Sequence, residues 1–223
     1  MTMQRLFLVV SLATSIVLAN CSFKWRADAV KGSGVVKSEP RPVSGFTAIA
    51  LSSVGKVVVQ QTGSESLTVS AEDNLLPLLE TRVADGTLYL GTKDGTNLDP
   101  TRPIEYTLTI KTLEGLRVSG AGTVEASAIQ GQRMKVTLSG VGGVTLAGAA
   151  EALELDLSGV GHFRGADFKV KQATVRSSGV GSAIVNASDK LDATVSGVGA
   201  VEYLGSPQVT QSVSGVGSVK PKS

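Results

Sequence analysis

Ser139-Gly140-Val141-Gly142 is one of six near-identical stretches; the others are Ser119-Gly120-Ala121-Gly122, Ser158-Gly159-Val160-Gly161, Ser178-Gly179-Val180-Gly181, Ser196-Gly197-Val198-Gly199 and Ser214-Gly215-Val216-Gly217. Successive serines are 20, 19, 20, 18 and 18 residues apart, close to the roughly 18 residues of a β-helix turn built from hexapeptides. A degenerate earlier copy, Ser52-Ser53-Val54-Gly55, precedes Lys56 to Gln60.

Aligning the copies exposes columns. One residue before the serine stand Val118, Leu138, Leu157, Ser177, Val195 and Val213, and three before it Leu116, Val136, Leu155, Val175, Ala193 and Gln211. These are mostly apolar. The interleaved columns are polar: Arg117, Thr137, Asp156, Arg176, Thr194 and Ser212, then Gly115, Lys135, Glu154, Thr174, Asp192 and Thr210. Period-two alternation predicts a strand with one face in the core and one in water. Beyond the second glycine the apolar position recurs as Val124, Val144, Phe163, Ala183, Val201 and Val219. Each period therefore holds a strand, a glycine corner and a second strand.

Two closely spaced glycines permit positive φ and a close backbone approach where a Cβ would clash. Ser119, Gly120, Gly122 and their five sets of counterparts thus read as structural corner residues, with each serine bonding locally or along a stack of its copies. If a period is one turn of a coil, strands pair in parallel with their counterparts one turn away; if the corner is a hairpin turn, the result is an antiparallel meander. The coil is preferred, because stacked columns explain why the same residues return. The expected fold is all-β, a right-handed parallel β-helix-like solenoid with 18–20-residue repeats.

Residues 39–112 are less regular. Phe46 to Leu51, Lys56 to Gln61 and Leu67 to Ala71 alternate as strands, and Asp85-Gly86 between Thr81–Ala84 and Thr87–Gly91 signals a hairpin. Lys93 to Pro103 is expected to be a surface loop and is the less constrained candidate for a contact surface. The expected division is residues 1–20 as signal peptide, 21–38 as anchor, tether and first strand, and 39–219 as one domain with its regular repeats at 113–219.

Composition narrows the chemistry. Glycine makes up 26 of 223 residues and aromatics only 4%, so Val, Leu, Ala and Ile must fill the core. Twenty-one Lys and Arg against 19 Asp and Glu give a net charge of +2, without the basic field of a nucleic-acid binder. One cysteine and one histidine exclude an intrachain disulfide and a thiolate zinc cluster and remove most metal and triad designs. No cofactor, metal or catalytic residue is expected. There is no Gly-x-Ser-x-Gly elbow and no phosphate loop, and the repeated Gly-x-Gly lacks the third glycine of a dinucleotide site. His162 follows the third corner and invites a pairing with Ser158, but it shares a column with Thr123, Gly143, Ser182, Ala200 and Ser218 and reads as a solvated surface histidine. Opposite charges on adjacent rungs, Asp156 with Arg176 and Lys135 with Glu154, read as solubility and register devices.

The N-terminus supplies an address. Arg5 precedes the apolar run Leu6 to Ala19, too short at 14 residues to span a bilayer comfortably, since a membrane helix needs about 20. A charged start and a short apolar core make a secretory signal peptide; the competing reading, a buried helix, lacks a polar face. Leu18-Ala19-Asn20-Cys21 resembles the lipobox of bacterial lipoproteins, which implies lipidation of Cys21 and a membrane anchor. It departs from the pattern at Asn20, where Gly, Ala or Ser is usual, so ordinary cleavage after Ala19 stays open. Ser22 fits outer-membrane sorting.

Arg41-Pro42-Val43-Ser44-Gly45-Phe46, Ala71-Glu72-Asp73-Asn74-Leu75-Leu76-Pro77-Leu78-Leu79-Glu80, Asp85-Gly86-Thr87-Leu88 and Leu113-Glu114-Gly115-Leu116-Arg117-Val118 with its corner together resemble the auto-transporter adhesin head GIN domain family (DUF2807), over residues 35 to 219. The resemblance implies an exported, often lipid-anchored bacterial protein of β-helix type, and brings no catalytic mechanism. Three functions remain. The first is a non-enzymatic envelope protein whose regular face binds a surface glycan or a partner protein. The second is a carbohydrate-active β-helix enzyme using Glu151, Glu154 and Asp156 with Arg176 and Lys135. The third is a structural lipoprotein whose open coil end near Val219-Lys220-Pro221 docks on another copy as a homo-oligomer.

Overall fold

The computed structural model describes residues 29–222; the expected signal peptide and Cys21 lie outside them. Between the glycine corners the chain is almost continuously extended. Ala121–Leu138, Val141–Leu157, Val160–Ser177 and Val180–Val195 each run round one turn, followed by Val198–Leu204 with Gln208–Val213, and the coil ends in Val216–Pro221. Every one of these segments lies parallel on its predecessor. The protein is an all-β parallel solenoid of about five turns, and the corners build a coil rather than a hairpin meander.

Repeats of unequal length stack because the surplus residues leave the ladder at one place. Register shifts fall between Ala126 and Ile129, between Thr145 and Ala147, and between Arg164 and Lys169 with a further shift by Gln172. All lie on the side of the turn away from the Ser-Gly corner. Bulges of this kind absorb extra residues at the cost of a local ladder bond, so the corner itself stays in unbroken register.

The first rungs are laid down out of chain order. Ala48–Leu51 and Val54–Gln61 pair in parallel beneath Gly115–Val118 and Ala121–Leu138, so Ser52-Ser53-Val54-Gly55 is a true corner of the ladder. Thr87–Thr92 and Glu105–Ile110 form the rung below that. Two antiparallel arms close this end: Leu79–Ala84 on Thr87–Thr92, and Ser66–Glu72 on Glu105–Ile110 with Val36–Pro40 outside it. The hairpin between Ala84 and Thr87 turns at Asp85 and Gly86, both at positive φ, as a type I′ turn requires.

The expectation of a plain loop over Lys93 to Pro103 needs correction. Leu98–Asp99 pairs in parallel with Val30–Lys31, and the carboxylate of Glu72, buried, accepts the amides of Thr101 at 2.9 Å and Arg102 at 3.3 Å and the hydroxyl of Thr101 at 2.5 Å. The same carboxylate accepts the amide of Gly34 at 2.6 Å. One acidic side chain thus clamps the segment 32–34 to the segment 101–102. Period-two reading along either segment could not reveal this, because both depend on an acceptor donated from Ser66–Glu72.

The inward columns form the core. Leu51, Val118, Leu138, Leu157, Ser177 and Val195 stack, as do Ile49, Leu116, Val136, Leu155, Val175 and Ala193, all of them buried. Each fully buried Val or Leu contributes about 1.5–3 kcal/mol. Phe163 is accommodated between Val144 and Ala183, and its ring fills the space left by Gly165, whose Cβ would stand 2.6 Å from it. In the last rung the same columns are exposed while keeping register: Gln211 lies opposite Ala193, and Val213 lies opposite Val195.

Candidate functional site

Each corner glycine sits directly over its counterpart. A Cβ on Gly140 would stand 2.0 Å from the carbonyl oxygen of Gly120, and one on Gly142, at φ +143°, 1.8 Å from the oxygen of Gly122; the clash recurs up the stack to Gly215 and Gly217. The same oxygens accept hydrogen bonds: Val141, Val160, Val180, Val198 and Val216 donate their amides to the first glycine of the turn below at 2.9–3.0 Å. The backbone here is close-packed along the coil axis, and no side chain on the glycines shields what stands between them.

What stands between them faces water. Val54, Ala121, Val141, Val160, Val180, Val198 and Val216 are register partners in one unbroken column. Val141, Val160, Val180 and Val198 are 50–57% exposed and Val216 is 76% exposed. Val54 is half-buried against the core, so the exposed ridge runs from Ala121 to Val216, five steps of about 4.8 Å or about 24 Å. Alongside it runs the exposed serine column. The Ser119 hydroxyl donates to the Leu51 carbonyl of the rung below at 3.5 Å, and the serine amides, such as Ser139 to Val118 at 2.9 Å, carry the ladder. The serines therefore present hydroxyls to solvent beside an apolar ridge.

This ridge is the feature that reading by columns passed over. The residue between two glycines belongs to the stacking repeat, and its parity is the signal that it faces outward: it is two residues from the exposed serine and three from the buried Val144.

The outer charges pair as adjacent rungs predict. Lys135 reaches Glu154 at 3.0 Å, and Arg176 lies 3.6 Å from Glu154 and 3.8 Å from Asp156. Glu151 pairs with Lys171 at 2.7 Å, on a different stretch of the turn. The carboxylates of a hypothetical catalytic groove are thus divided between faces, each beside a cation. No group of three or more metal-ligating side chains occurs among the described residues.

His162 lies at the surface, half-buried. Gly143 is its register partner, and the imidazole lies across the space where a Gly143 Cβ would be, 2.4 Å from Nε2. Partial burial, and then the charge of Arg164, push its pKa below the ordinary 6.5. It makes no hydrogen bond to Ser158 among the described residues.

A family model described as "Putative auto-transporter adhesin, head GIN domain" matches residues 45–207. No curated protein matches the chain. Among solved structures, a "putative adhesin" from Bacteroides fragilis is 26% identical, with a TM-score of 0.72, covering 87% of this chain and 100% of its own. A "putative adhesin" from Parabacteroides merdae, 21% identical with a TM-score of 0.56, covers 88% and 100%. A "putative lipid binding protein" from Parabacteroides distasonis, 20% identical with a TM-score of 0.55, covers 87% and 100%. The last two share the fold.

Proposed function

Because this chain belongs to the auto-transporter adhesin head GIN domain family, we propose that it is an exported, non-enzymatic binding scaffold, held at the bacterial envelope by a lipid on Cys21 and making contact through its valine ridge. The ridge carries the reading. Contiguous exposed apolar side chains mark interaction surfaces, and these five valines stand on a backbone too closely packed to withdraw them. Rigid presentation lowers the ordering cost of binding. The adhesin names of relatives that share the fold support a contact role at the cell surface.

Among the described residues no helix is long and apolar enough to cross a membrane, so attachment in this reading rests on Cys21, where two or more acyl tails would suffice for stable anchoring. The non-enzymatic half is supported by the pairing of Glu154 and Asp156 with Lys135 and Arg176. Mass spectrometry of the mature N-terminus tests the anchor: an acylated Cys21 is expected, and an unmodified chain beginning at Asn20 would contradict it. Incubation with a glycan panel tests the rest, since new reducing ends or unsaturated products, abolished by Glu154→Gln, would replace the scaffold with an enzyme.

A further inference from the structure

On the outward face of the first rungs, three neighbouring strands leave a slot. Tyr89 on Thr87–Thr92 is the register partner of Ala50 on Ala48–Leu51, which in turn partners Arg117 on Gly115–Val118. Two strand spacings of about 4.8 Å separate the tyrosine from the arginine. Ala50 stands between them in register, and with Ala48, Gly115, Thr87 and Thr137 it lines a cleft of about 220 Å³. That is below the roughly 300 Å³ at which pockets for drug-sized ligands begin, and suits a single ring.

The two walls differ in chemistry. Arg82, on the far strand, lies 4.1 Å from the centroid of the Tyr89 ring and is its register partner. It packs on the ring as a cation on a π face, and Tyr89 lines the cleft beside Ala50. The other wall is cationic. Lys135, at the rim, is taken by Glu154 at 3.0 Å, whereas Arg117 is exposed and makes no ion pair among the described residues. An aromatic ring lining the cleft opposite an unpaired guanidinium, about two strand spacings away, matches a ring with an apolar C–H face and a carboxylate, since guanidinium binds carboxylate in a bidentate fork.

We propose that the slot between Tyr89 and Arg117 binds one acidic sugar residue, its ring against the tyrosine and its carboxylate on the arginine. This deepens the binding-scaffold reading by naming a ligand class, but at a site separate from the ridge. It lies about four residues along the rung from the valine column, roughly 13 Å.

Titration of the full domain with oligogalacturonate and with the neutral galactose oligomer, followed by calorimetry, tests the proposal. Saturable binding of the acidic oligomer is expected, at least tenfold tighter than the neutral one. Arg117→Gln and Tyr89→Ala should each weaken it at least tenfold, and Ala48→Val should block the slot, all with an unchanged melting transition for the exposed Arg117→Gln. The ridge variant Val160→Glu/Val180→Glu should bind the acidic oligomer as the wild type does, which keeps this result independent of the ridge. No saturable binding, equal affinity for the neutral oligomer, or acidic binding unaffected by Arg117→Gln would each overturn the assignment.

Discussion

The carbonyl oxygen of Gly120 lies 2.0 Å from where a Cβ on Gly140 would stand, and the same oxygen accepts the amide of Val141 at 3.0 Å. The obstacle is backbone, fixed by its own ladder bond, so an added methyl cannot be met by a side-chain rotation. Gly140→Ala and Gly159→Ala are expected to destabilise by about 1–3 kcal/mol each, the range for overpacking, read as a lowered urea midpoint. Gly131→Ala is the control. Its nearest neighbours lie at 3.9 Å, and stiffening the unfolded chain there should be neutral or stabilising by up to about 1 kcal/mol.

Glu72 sets a limit at acid pH. Burial pushes its carboxyl up, but the hydrogen bonds from the Thr101 hydroxyl and from the amides of Gly34, Thr101 and Arg102 outweigh this and hold it below the ordinary 4.5. A lowered folded pKa means that the stabilisation is fully present above the unfolded value and is lost as pH falls through the folded one. Stability should therefore be flat above about pH 5 and fall below about 4.5. Glu72→Gln should lower the urea midpoint at pH 7 and flatten the fall at acid pH; an unchanged acid limb would show that another carboxylate governs it.

His162 should titrate below 6.5, because burial and Arg164 both disfavour its cation. Its stabilising contribution is present above 6.5 and lost as pH falls through the lowered folded value. In a proton NMR titration Arg164→Ser should move the imidazole midpoint upward; no movement would leave burial as the sole cause.

The repeated Ser-Gly-Val-Gly made the coil legible because its columns are local in each repeat and identical between repeats. The same alternation located the buried Leu138 and Val136 and the rung pairs Lys135 with Glu154 and Asp156 with Arg176. What stayed hidden was non-local. The rung order at the N-terminal end places Thr87–Thr92 beneath Ala48–Leu51, against chain order, and so the meeting of Tyr89 with Arg117 across Ala50 leaves no sequence spacing to read. The Glu72 clamp is hidden for the same reason: its donors are 38, 29 and 30 residues away. The half-burial of His162 is non-local too, since the space its ring enters belongs to Gly143, one turn earlier.

The ridge valines are replaceable without cost to the fold. Val160 and Val180 are about half exposed, and surface substitutions of this kind usually change stability by no more than about 0.5 kcal/mol. Val160→Glu/Val180→Glu should therefore melt as the wild type does, and a large loss of stability would mean that the ridge is packing rather than contact surface.

Adhesion is the direct measurement of the central claim. Bacteria displaying the full chain are compared with bacteria displaying Val160→Glu/Val180→Glu at equal surface amounts, for attachment to immobilised envelopes of neighbouring cells. The account predicts attachment by the wild type and its loss in the variant; equal attachment by both would contradict it.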